Sequence, residues 1–283
     1  MTQLGVVGGG TMGAGIAEIA IRAGDDVLVL ERDQDAADAA RARIEKSLGR
    51  AVSKGKIADE DAQQALSRLT LTTAIGDFAD RELVIEALPE VESLKVGFFA
   101  ELDKVTSPEA ILATNTSSIP IIRIAKDVAD PSRVVGVHFF NPVPVMPLVE
   151  IISSLASSPQ AVEKVTAYAS DHLGKRTIQA GDRGGFVVNA LLIPYLVSAI
   201  RMYESGYASK EDIDAGMVNG CAHPMGPLTL SDTVGLDVVL DVAESLYQEF
   251  REPHFAPPPL LQRMVEAGYL GKKSGKGFYD YSS

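Results

Sequence analysis

LGVVGGGTMGAGIAEIAIRAGDDVLVLE, residues 4–31, joins two short apolar runs through a glycine-rich turn and a helical pattern. Leu4–Val7 and Val27–Leu30 are the apolar runs, and Gly24 ends the helix between them. A strand, a glycine turn that opens a helix and a second strand together form a βαβ unit with parallel strands. The segment therefore predicts an α/β domain with a doubly wound sheet of the Rossmann type.

The turn has the pattern Gly-x-Gly-x-x-Gly, with Gly8, Gly10 and Gly13 at the three glycine positions. The first glycine allows a tight turn, the second lets the backbone approach a pyrophosphate, and the third lets the helix pack closely on the strand. Because the motif follows a strand and opens a helix, it predicts a dinucleotide site. Thr11 and Met12, which lie between the glycines, are included among the cofactor-binding residues.

Glu31 ends the second strand, 18 residues beyond Gly13. An acidic side chain at this distance accepts hydrogen bonds from the adenosine ribose hydroxyls, which favours NAD as the cofactor. Arg32 follows directly and could accommodate a 2′-phosphate, so NADP remains the alternative.

The remaining apolar patterns divide the chain into two parts. Strands alternate with helices up to residue 184, and the later predicted strands are Leu69–Thr72, Leu83–Glu86, Ile111–Thr114, Val134–Phe140, Leu148–Ile152 and Thr177–Gln179. Beyond this point the patterns are all helical, over Phe186–Ser205, Lys210–Asn219, Ser231–Phe250 and Pro259–Ala267. We expect a dinucleotide-binding domain over residues 1–184 and an all-helical domain over residues 185–283.

Two of the predicted strands each carry one ionisable side chain in an apolar run. His138 lies in Val134–Phe140 and Glu150 in Leu148–Ile152, and a proline-rich segment joins the strands. Buried ionisable groups are costly unless they pair, so a chain that folds back here predicts a His138–Glu150 pair. Such a pair is a general base with an orienting partner, as needed to take a proton from an alcohol, and a purely structural core pair is the alternative.

The other histidines are weaker candidates for a general base. His172 falls late in a helical pattern, and His223 and His254 lie beside prolines. None of the three has a carboxylate at a spacing along the sequence that connects the two residues.

Small polar residues follow the predicted strand Ile111–Thr114 in the order Asn115-Thr116-Ser117-Ser118. Ligands bind in open α/β sheets at the carboxyl ends of the strands, so Ser117 is a candidate ligand contact. Capping of the helix that begins near Pro120 is the alternative role of this cluster.

A further candidate site is the densest basic cluster of the chain. The helix that follows Asp33, together with the loop after it, carries Lys46, Ser47, Arg50, Lys54 and Lys56. Because the chain has a net charge of −12, a local concentration of cations predicts a phosphate-bearing ligand, whereas a solvated helix face is the alternative.

The composition argues against several classes of function. With 38 acidic and 26 basic residues, the chain does not offer a surface for nucleic acid or for an anionic membrane. Its single cysteine, Cys221, excludes an internal disulfide and a cysteine metal cluster, which is typical of the reducing cytoplasm, and we predict no metal site. We recognise no targeting segment before the first strand, and the most apolar stretch, Phe186–Ile200, is too short and too polar to span a membrane.

Longer stretches of the sequence together resemble the L-3-hydroxyacyl-CoA dehydrogenase family in its short form, and most closely its bacterial 3-hydroxybutyryl-CoA members. They cover essentially the full length: GGGTMGAGIA, LVIEALPE, ATNTSSIPI, HFFNPVPVM, LVEII, GFVVN, HPMGPLTLSDTVGLD and GKKSGKGFYDY. The resemblance implies a doubly wound N-terminal domain, a helical C-terminal domain that forms a homodimer, and NAD-dependent oxidation of a short-chain (3S)-3-hydroxyacyl-CoA. A fused hydratase is excluded because 283 residues leave no room for it.

The resemblance also assigns roles to individual residues by position. It makes His138 the acid/base, Glu150 its orienting partner, Ser117 a hydrogen-bond partner of the substrate 3-oxygen, and Asn189 a substrate contact that joins the domains. Beyond the glycine motif and Glu31, the family's cofactor positions match Glu90, Lys95, Ser117, Asn141 and Lys273. The family's coenzyme A positions match Ser47 and Lys54.

Two positions depart from the family pattern. Ala190 replaces the usual Arg after GFVVN, and Pro147 replaces the usual Lys before the LVE run, so domain closure or acyl-chain preference could differ. Two alternative functions remain open. One is an NAD-dependent dehydrogenase of a free hydroxy acid or sugar acid, similar to gulonate dehydrogenase, and the other is a catalytically silent NAD-binding protein.

Overall fold

The computed structural model describes residues 1–282. The chain forms two compact units, one over Met1–Arg183 and one from Gly184 onward. The first unit combines strands and helices, and the second is built from helices.

An eight-stranded sheet forms the centre of the first unit. Its strands are β1 (Gln3–Val7), β2 (Asp26–Leu30), β3 (Leu69–Thr72), β4 (Leu83–Glu86), β5 (Ile111–Thr114), β6 (Val134–Phe139), β7 (Leu148–Ser153) and β8 (Arg176–Gly181). They lie in the order β3-β2-β1-β4-β5-β6-β7-β8, and every neighbouring pair is parallel except β6 and β7. The chain reverses its direction of travel across the sheet between β1 and β4, which places a ligand crevice at the carboxyl ends of these strands.

Helices connect the strands of this sheet. They are α1 (Thr11–Ala23), α2 (Gln34–Ser53), α3 (Asp59–Leu66), α4 (Glu92–Val105), α5 (Ile121–Ala125) and α6 (Pro159–Ala167). The central strands β4, β5 and β6 are buried at every position and largely apolar, because both faces of the sheet are covered there. One core cluster joins Val6 and Ile85 of the sheet to Ile16 of α1, and each such side chain contributes about 1.5–3 kcal/mol on full burial.

The chain folds back at the end of β6 as the sequence predicts. Strands β6 and β7 pair in an antiparallel register that sets His138 directly opposite Glu150. The intervening segment leaves the sheet through a cis peptide bond between Asn141 and Pro142. This local geometry brings the two ionisable side chains onto the same face of the hairpin.

The second unit contains α7 (Val188–Glu204), α8 (Lys210–Cys221), α9 (Pro227–Val234), α10 (Leu236–Phe250) and α11 (Pro259–Glu266). Its core brings Leu196 and Ile200 of α7 together with Val239 and Leu246 of α10. The predicted fold class, a doubly wound α/β domain followed by a helical domain, is therefore confirmed. Within residues 1–282, none of the helices has the length and apolar character needed to cross a membrane.

The prediction of one helix over Ser231–Phe250 is wrong, because two helices occupy this region. Helix α9 begins earlier, at Pro227, and ends at Val234, after which α10 starts. Gly235 separates them with a φ of 105°, a backbone conformation that a continuing helix cannot contain. The apolar spacing runs on across this glycine, so the periodic pattern concealed the break.

Candidate active site

The glycine turn between β1 and α1 has the geometry of a dinucleotide site. Gly8 has a φ of 87°, and a Cβ on Gly13 would lie 1.7 Å from the Gly8 carbonyl oxygen, so the turn closes only with glycine at both positions. Gly10, in contrast, has open space beside it, because a Cβ there would meet no atom of residues 1–282 within 4 Å. Gly10 also begins α1 without a capping side chain from the described residues, which leaves the N–H groups of the first turn available to a ligand. The turn thus fits the pyrophosphate of a dinucleotide.

A groove of about 770 Å³ extends from this turn along the carboxyl edge of the sheet. Its lining residues include Gly8, Gly10, Thr11, Met12, Glu31, Leu88, Pro89, Leu94 and Phe98. The apolar side chains suit the faces of a nucleobase, and the glycine turn supplies the polar end. The structure therefore brings together the predicted glycine-motif residues and Glu31.

Glu31 is held at the end of β2 by backbone donors. Its Oε1 accepts a hydrogen bond from the Gly9 N–H at 2.6 Å. Arg32 is exposed, and its guanidinium pairs with Asp33 at 2.9 Å. Asp33 also accepts from the Ala36 N–H as the N-cap of α2, so the cation after Glu31 already has an anionic partner.

His138 and Glu150 form the predicted buried pair. Nδ1 of His138 lies 2.7 Å from Oε2 of Glu150, and the two side chains are 8% and 0% exposed. The Phe140 ring packs against the imidazole with 4.6 Å between centroids. An ionised carboxylate only accepts hydrogen bonds, so it favours the tautomer with the proton on Nδ1 and directs Nε2 to other partners.

Ser117 lies in a loop after β5, at the same edge of the sheet as the end of β6. The carboxylate of Glu90 accepts hydrogen bonds from the Ser117 N–H at 2.8 Å and from its hydroxyl at 3.3 Å. Asn115, at the start of this loop, accepts from the Phe139 N–H at 2.9 Å and so joins β5 to the end of β6. The loop is therefore fixed beside the strand that carries His138.

The alternative role of the Ser117 cluster, capping the next helix, is wrong. The N–H groups of Ile121 and Ile122 instead donate to the carboxylate of Asp182, at 2.6 and 2.8 Å. Sequence reasoning could not find this cap because Asp182 lies some 60 residues further along the chain.

Behind the Ser117 loop lies a charged network in which Glu86 and Lys95 are buried and the Glu90 side chain is 34% exposed. Glu90 and Lys95, both matched to cofactor positions, form an ion pair at 3.3 Å, and Lys95 also pairs with Glu86 at 2.7 Å. Burial alone would raise the pKa of the Glu90 carboxyl, but the Lys95 ammonium and hydrogen bonds from Thr116 and from the Ser117–Ser118 backbone lower that pKa below its usual range. Sequence reasoning missed Glu86, although an acid that ends an apolar strand is the signal that identified Glu31.

The basic cluster on α2 forms one wall of a second groove of about 400 Å³. Its lining residues include Thr11, Arg43, Lys46, Ser47, Arg50 and Asn141. The predicted residues Ser47 and Asn141 therefore lie at one groove with the start of α1. Lys54 is exposed at the C-terminal end of α2 and does not line this groove, whereas Arg43, which sequence reasoning missed, does.

The remaining predicted residues belong to the helical unit. Asn189 is half-buried in the first turn of α7, with Ala190 beside it. Lys273 lies in a short 3₁₀ turn and forms an ion pair with Asp237 at 2.5 Å. Within this unit, Asp237 is the nearest charged partner of Lys273 and holds its ammonium against the start of α10.

His172 also has a carboxylate partner, which its spacing along the sequence does not indicate. His172 Nε2 lies 2.8 Å from Oδ1 of Asp25, a fully buried side chain that also accepts from the Thr2 N–H and the Tyr168 hydroxyl. Asp25 precedes β2, so this pair lies at the amino edge of the sheet, away from the glycine turn. The position of this pair indicates a structural role. Because both histidines have a carboxylate partner, His138 differs from His172 by its place at the carboxyl edge of the sheet.

Comparisons with known proteins agree with this geometry. The family model described as "3-hydroxyacyl-CoA dehydrogenase, NAD binding domain" matches residues 3–183, and the model of the C-terminal domain of the same enzymes matches residues 185–281. A 3-hydroxybutyryl-CoA dehydrogenase of Mycobacterium tuberculosis is 55% identical over 280 residues, which cover 99% of this chain and 98% of that protein. One from Clostridioides difficile is 43% identical over 280 residues, with 99% of each chain covered.

Comparison with solved structures indicates the same family. The crystal structure of an (S)-3-hydroxybutyryl-CoA dehydrogenase from Ralstonia eutropha has a TM-score of 0.95 and 41% identity, with 100% of both chains covered. The family resemblance inferred from the sequence is thereby confirmed. The chain belongs to the 3-hydroxyacyl-CoA dehydrogenase family of NAD-dependent oxidoreductases.

Proposed function

We propose that the chain interconverts (3S)-3-hydroxyacyl-CoA and 3-oxoacyl-CoA with NAD and NADH, and that 3-hydroxybutyryl-CoA is its preferred substrate. The observation that carries the proposal is the buried His138–Glu150 pair at the carboxyl edge of a sheet that also carries the dinucleotide turn. The names of the relatives support the coenzyme A ester and the short acyl chain.

In the oxidation direction, Nε2 of His138 takes the proton of the substrate hydroxyl. Glu150 holds the imidazole through Nδ1 and stabilises the imidazolium that forms. When substrate binds, the Ser117 hydroxyl turns from its long 3.3 Å contact with Glu90 and donates its one proton to the 3-oxygen, which fixes C3 for reaction. The glycine turn and Glu31 would hold the nicotinamide cofactor, which would supply the acceptor for the C3 hydride, and loss of that hydride with the hydroxyl proton gives the carbonyl of the 3-oxoacyl product. In reduction, His138 returns the proton to the same oxygen.

The preference for NAD over NADP is part of the proposal. Glu31 offers a carboxylate to the ribose hydroxyls at the end of the groove and would repel a 2′-phosphate. The cation that could offset this repulsion, Arg32, is paired with Asp33. The Arg32–Asp33 ion pair supports Glu31 as the residue that determines selectivity for NAD over NADP.

The groove beside α2 supports recognition of the coenzyme A phosphates. Arg43, Lys46 and Arg50 line it together with Ser47, and the net charge of −12 makes such a concentration of cations uncommon in this chain. Lys54 extends the same cationic helix to its end. We assign Ser47 and Lys54 to coenzyme A, with these three cations as further contacts.

The helical unit is assigned to substrate contact and dimerisation, with the domain boundary between residues 184 and 185. Asn189 is the proposed substrate contact, and Lys273 the proposed cofactor contact. Leu191 of α7 is 73% exposed and Met202 of the same helix is 42% exposed, so this helix offers apolar surface to a second copy of the chain. Sedimentation equilibrium tests the proposed homodimer.

The test of the activity is NADH consumption by the purified protein with acetoacetyl-CoA, run beside free acetoacetate and beside NADPH. Rapid oxidation of NADH with the thioester alone is the expected result. Turnover of free acetoacetate at a similar rate would favour a hydroxy-acid dehydrogenase. Bound NADH without turnover of either substrate would favour a silent NAD-binding protein.

A further inference from the structure

Glu86 and Lys95 form an ion pair that is almost completely removed from solvent. Their side chains are 0% and 1% exposed, and Nζ of Lys95 lies 2.7 Å from Oε1 of Glu86. A buried ion pair contributes little net stability, because the cost of removing both charges from water offsets their attraction. The proposed reaction assigns Glu86 no contact with cofactor or substrate. Its presence therefore calls for another explanation.

One arm of the network runs from Glu86 through Lys95 to Glu90. The Lys95 ammonium also lies 3.3 Å from Oε2 of Glu90. The other oxygen of Glu90 accepts from the Thr116 hydroxyl at 2.6 Å, the Ser117 N–H at 2.8 Å and the Ser118 N–H at 3.0 Å. A single carboxylate oxygen thus accepts hydrogen bonds from three successive residues of the Ser117 loop.

The second arm reaches the same loop from the strand side. The Thr114 hydroxyl donates to Oε2 of Glu86 at 2.7 Å and accepts from the Thr116 N–H at 3.2 Å. Glu86 therefore acts on the loop twice, once through Thr114 at its start and once through Lys95 and Glu90 along its length. The third donor to Glu86, the Leu88 N–H at 2.5 Å, fixes the backbone that lines the dinucleotide groove.

We propose that Glu86 is a positioning residue that holds the Ser117 hydroxyl in place for the substrate 3-oxygen, acting through Lys95, Glu90 and Thr114. This role rests on the function proposed above. Its physical basis is that Lys95, buried without the Glu86 charge, keeps Glu90 as its one anionic partner among residues 1–282. The ammonium then competes with the loop donors for that carboxylate, and the loop loses its fixed conformation.

The test is a double-mutant cycle between Glu86→Gln and Ser117→Ala, with kcat for acetoacetyl-CoA reduction as the readout. Glutamine keeps an acceptor for the Leu88 N–H, so the KM for NADH should change little. We expect Glu86→Gln to lower kcat about tenfold in the wild-type background and to cause no further loss when Ser117 is already alanine. The conservative Thr116→Val change, which removes one donor to Glu90 and the acceptor of the Ile119 N–H, should show the same dependence on Ser117 and serves if Glu86→Gln does not fold.

Asp25→Asn provides the matched control. Asp25 is also a fully buried carboxylate with three donors, but it lies at the amino edge of the sheet. Asp25→Asn should lower the melting temperature of the protein without changing kcat. An equal loss of kcat from Glu86→Gln in both Ser117 backgrounds, or no loss in either, overturns the positioning role. A wild-type protein without acetoacetyl-CoA turnover would instead overturn the proposed function, and this role with it.

Discussion

His138 and Glu150 are direct cross-strand partners on β6 and β7, and the backbone register alone brings Nδ1 to within 2.7 Å of the carboxylate. A one-residue slip of either strand would point one of these side chains to the opposite face of the sheet. The antiparallel pairing of a single hairpin in an otherwise parallel sheet is thus what assembles the proposed general base.

Replacing either member of this pair should reduce turnover far more than cofactor binding. We expect His138→Gln and Glu150→Gln to lower kcat by a factor of about 10² to 10⁴, because both remove the oriented proton acceptor. NADH affinity, measured by fluorescence titration, should change little. His172→Gln is the matched control, since it breaks a histidine–carboxylate pair of similar geometry at the other edge of the sheet. A near-normal kcat in His138→Gln would contradict the assignment.

The second and third glycines of the motif, Gly10 and Gly13, should respond differently to the same change. Gly13→Ala places a Cβ against the Gly8 carbonyl oxygen, so we expect it to destabilise the protein by about 3 kcal/mol or more. Gly10→Ala meets open space and has an ordinary backbone conformation, so its melting temperature should match the wild type. Its NADH affinity should fall about tenfold, or about 1.4 kcal/mol, because the methyl group occupies the approach of the pyrophosphate. Unchanged NADH binding in Gly10→Ala would place the cofactor elsewhere.

How much of this site could be predicted depended on how far apart the partners lie in the chain. The glycine motif and the His138–Glu150 pair are local, since one turn or one hairpin brings their residues together, and sequence patterns encode such contacts. His172 and Asp25 are 147 residues apart and meet only because the sheet brings their elements together. Nothing in their spacing indicates the contact.

The charged network shows a different limit. Glu86, Lys95 and Thr114 lie on separate elements, and each is unremarkable in its own segment. The acid at the end of an apolar strand is a visible signal, but its partner can be found only when the packing of α4 on the sheet is known. Gly235 illustrates the same point for helices, because an apolar period continues across a residue whose backbone conformation ends the helix.

Cofactor selectivity should depend on two neighbouring charges. Glu31→Gln keeps an acceptor for the Gly9 N–H but removes the negative charge that opposes a 2′-phosphate. We expect the ratio of kcat/KM for NADPH to that for NADH to rise about tenfold. Asp33→Asn retains a helix cap and releases Arg32 from its ion pair with Asp33, so this variant should also raise the ratio. An unchanged ratio in Glu31→Gln would show that selectivity is determined elsewhere.

The cations that line the groove beside α2 should contribute to substrate affinity and not to chemistry. Lys46→Ala and Arg50→Ala should each raise the KM for acetoacetyl-CoA about two- to fivefold, with kcat and the KM for NADH little changed. Lys54→Ala should act in the same direction. Added salt should shrink the difference from wild type, because it screens exposed charges.

The control for this series is Lys164→Ala, an exposed lysine on α6 that does not line the groove. If its KM for acetoacetyl-CoA rose as much as that of the groove variants, the effect would come from net charge. If no groove variant changed KM, the cluster would be a solvated helix face.

Glu90 should make the stability of the protein depend on pH in a defined direction. The surroundings of Glu90 lower its pKa in the folded state, so its ionised form stabilises the fold above the usual pKa of a glutamate. This contribution is lost as the pH falls through the lowered value. The difference in unfolding free energy between the wild type and Glu90→Gln should therefore be constant near neutral pH and should shrink below about pH 4. Urea titrations at about pH 7, 5, 4 and 3 measure this difference in unfolding free energy.

Glu163→Gln on α6, where the side chain is exposed, controls for the loss of one negative charge. A difference that grew on acidification would mean that the protonated form of Glu90 is the one the Ser117 loop prefers, and the carboxylate would then not be the acceptor that organises it.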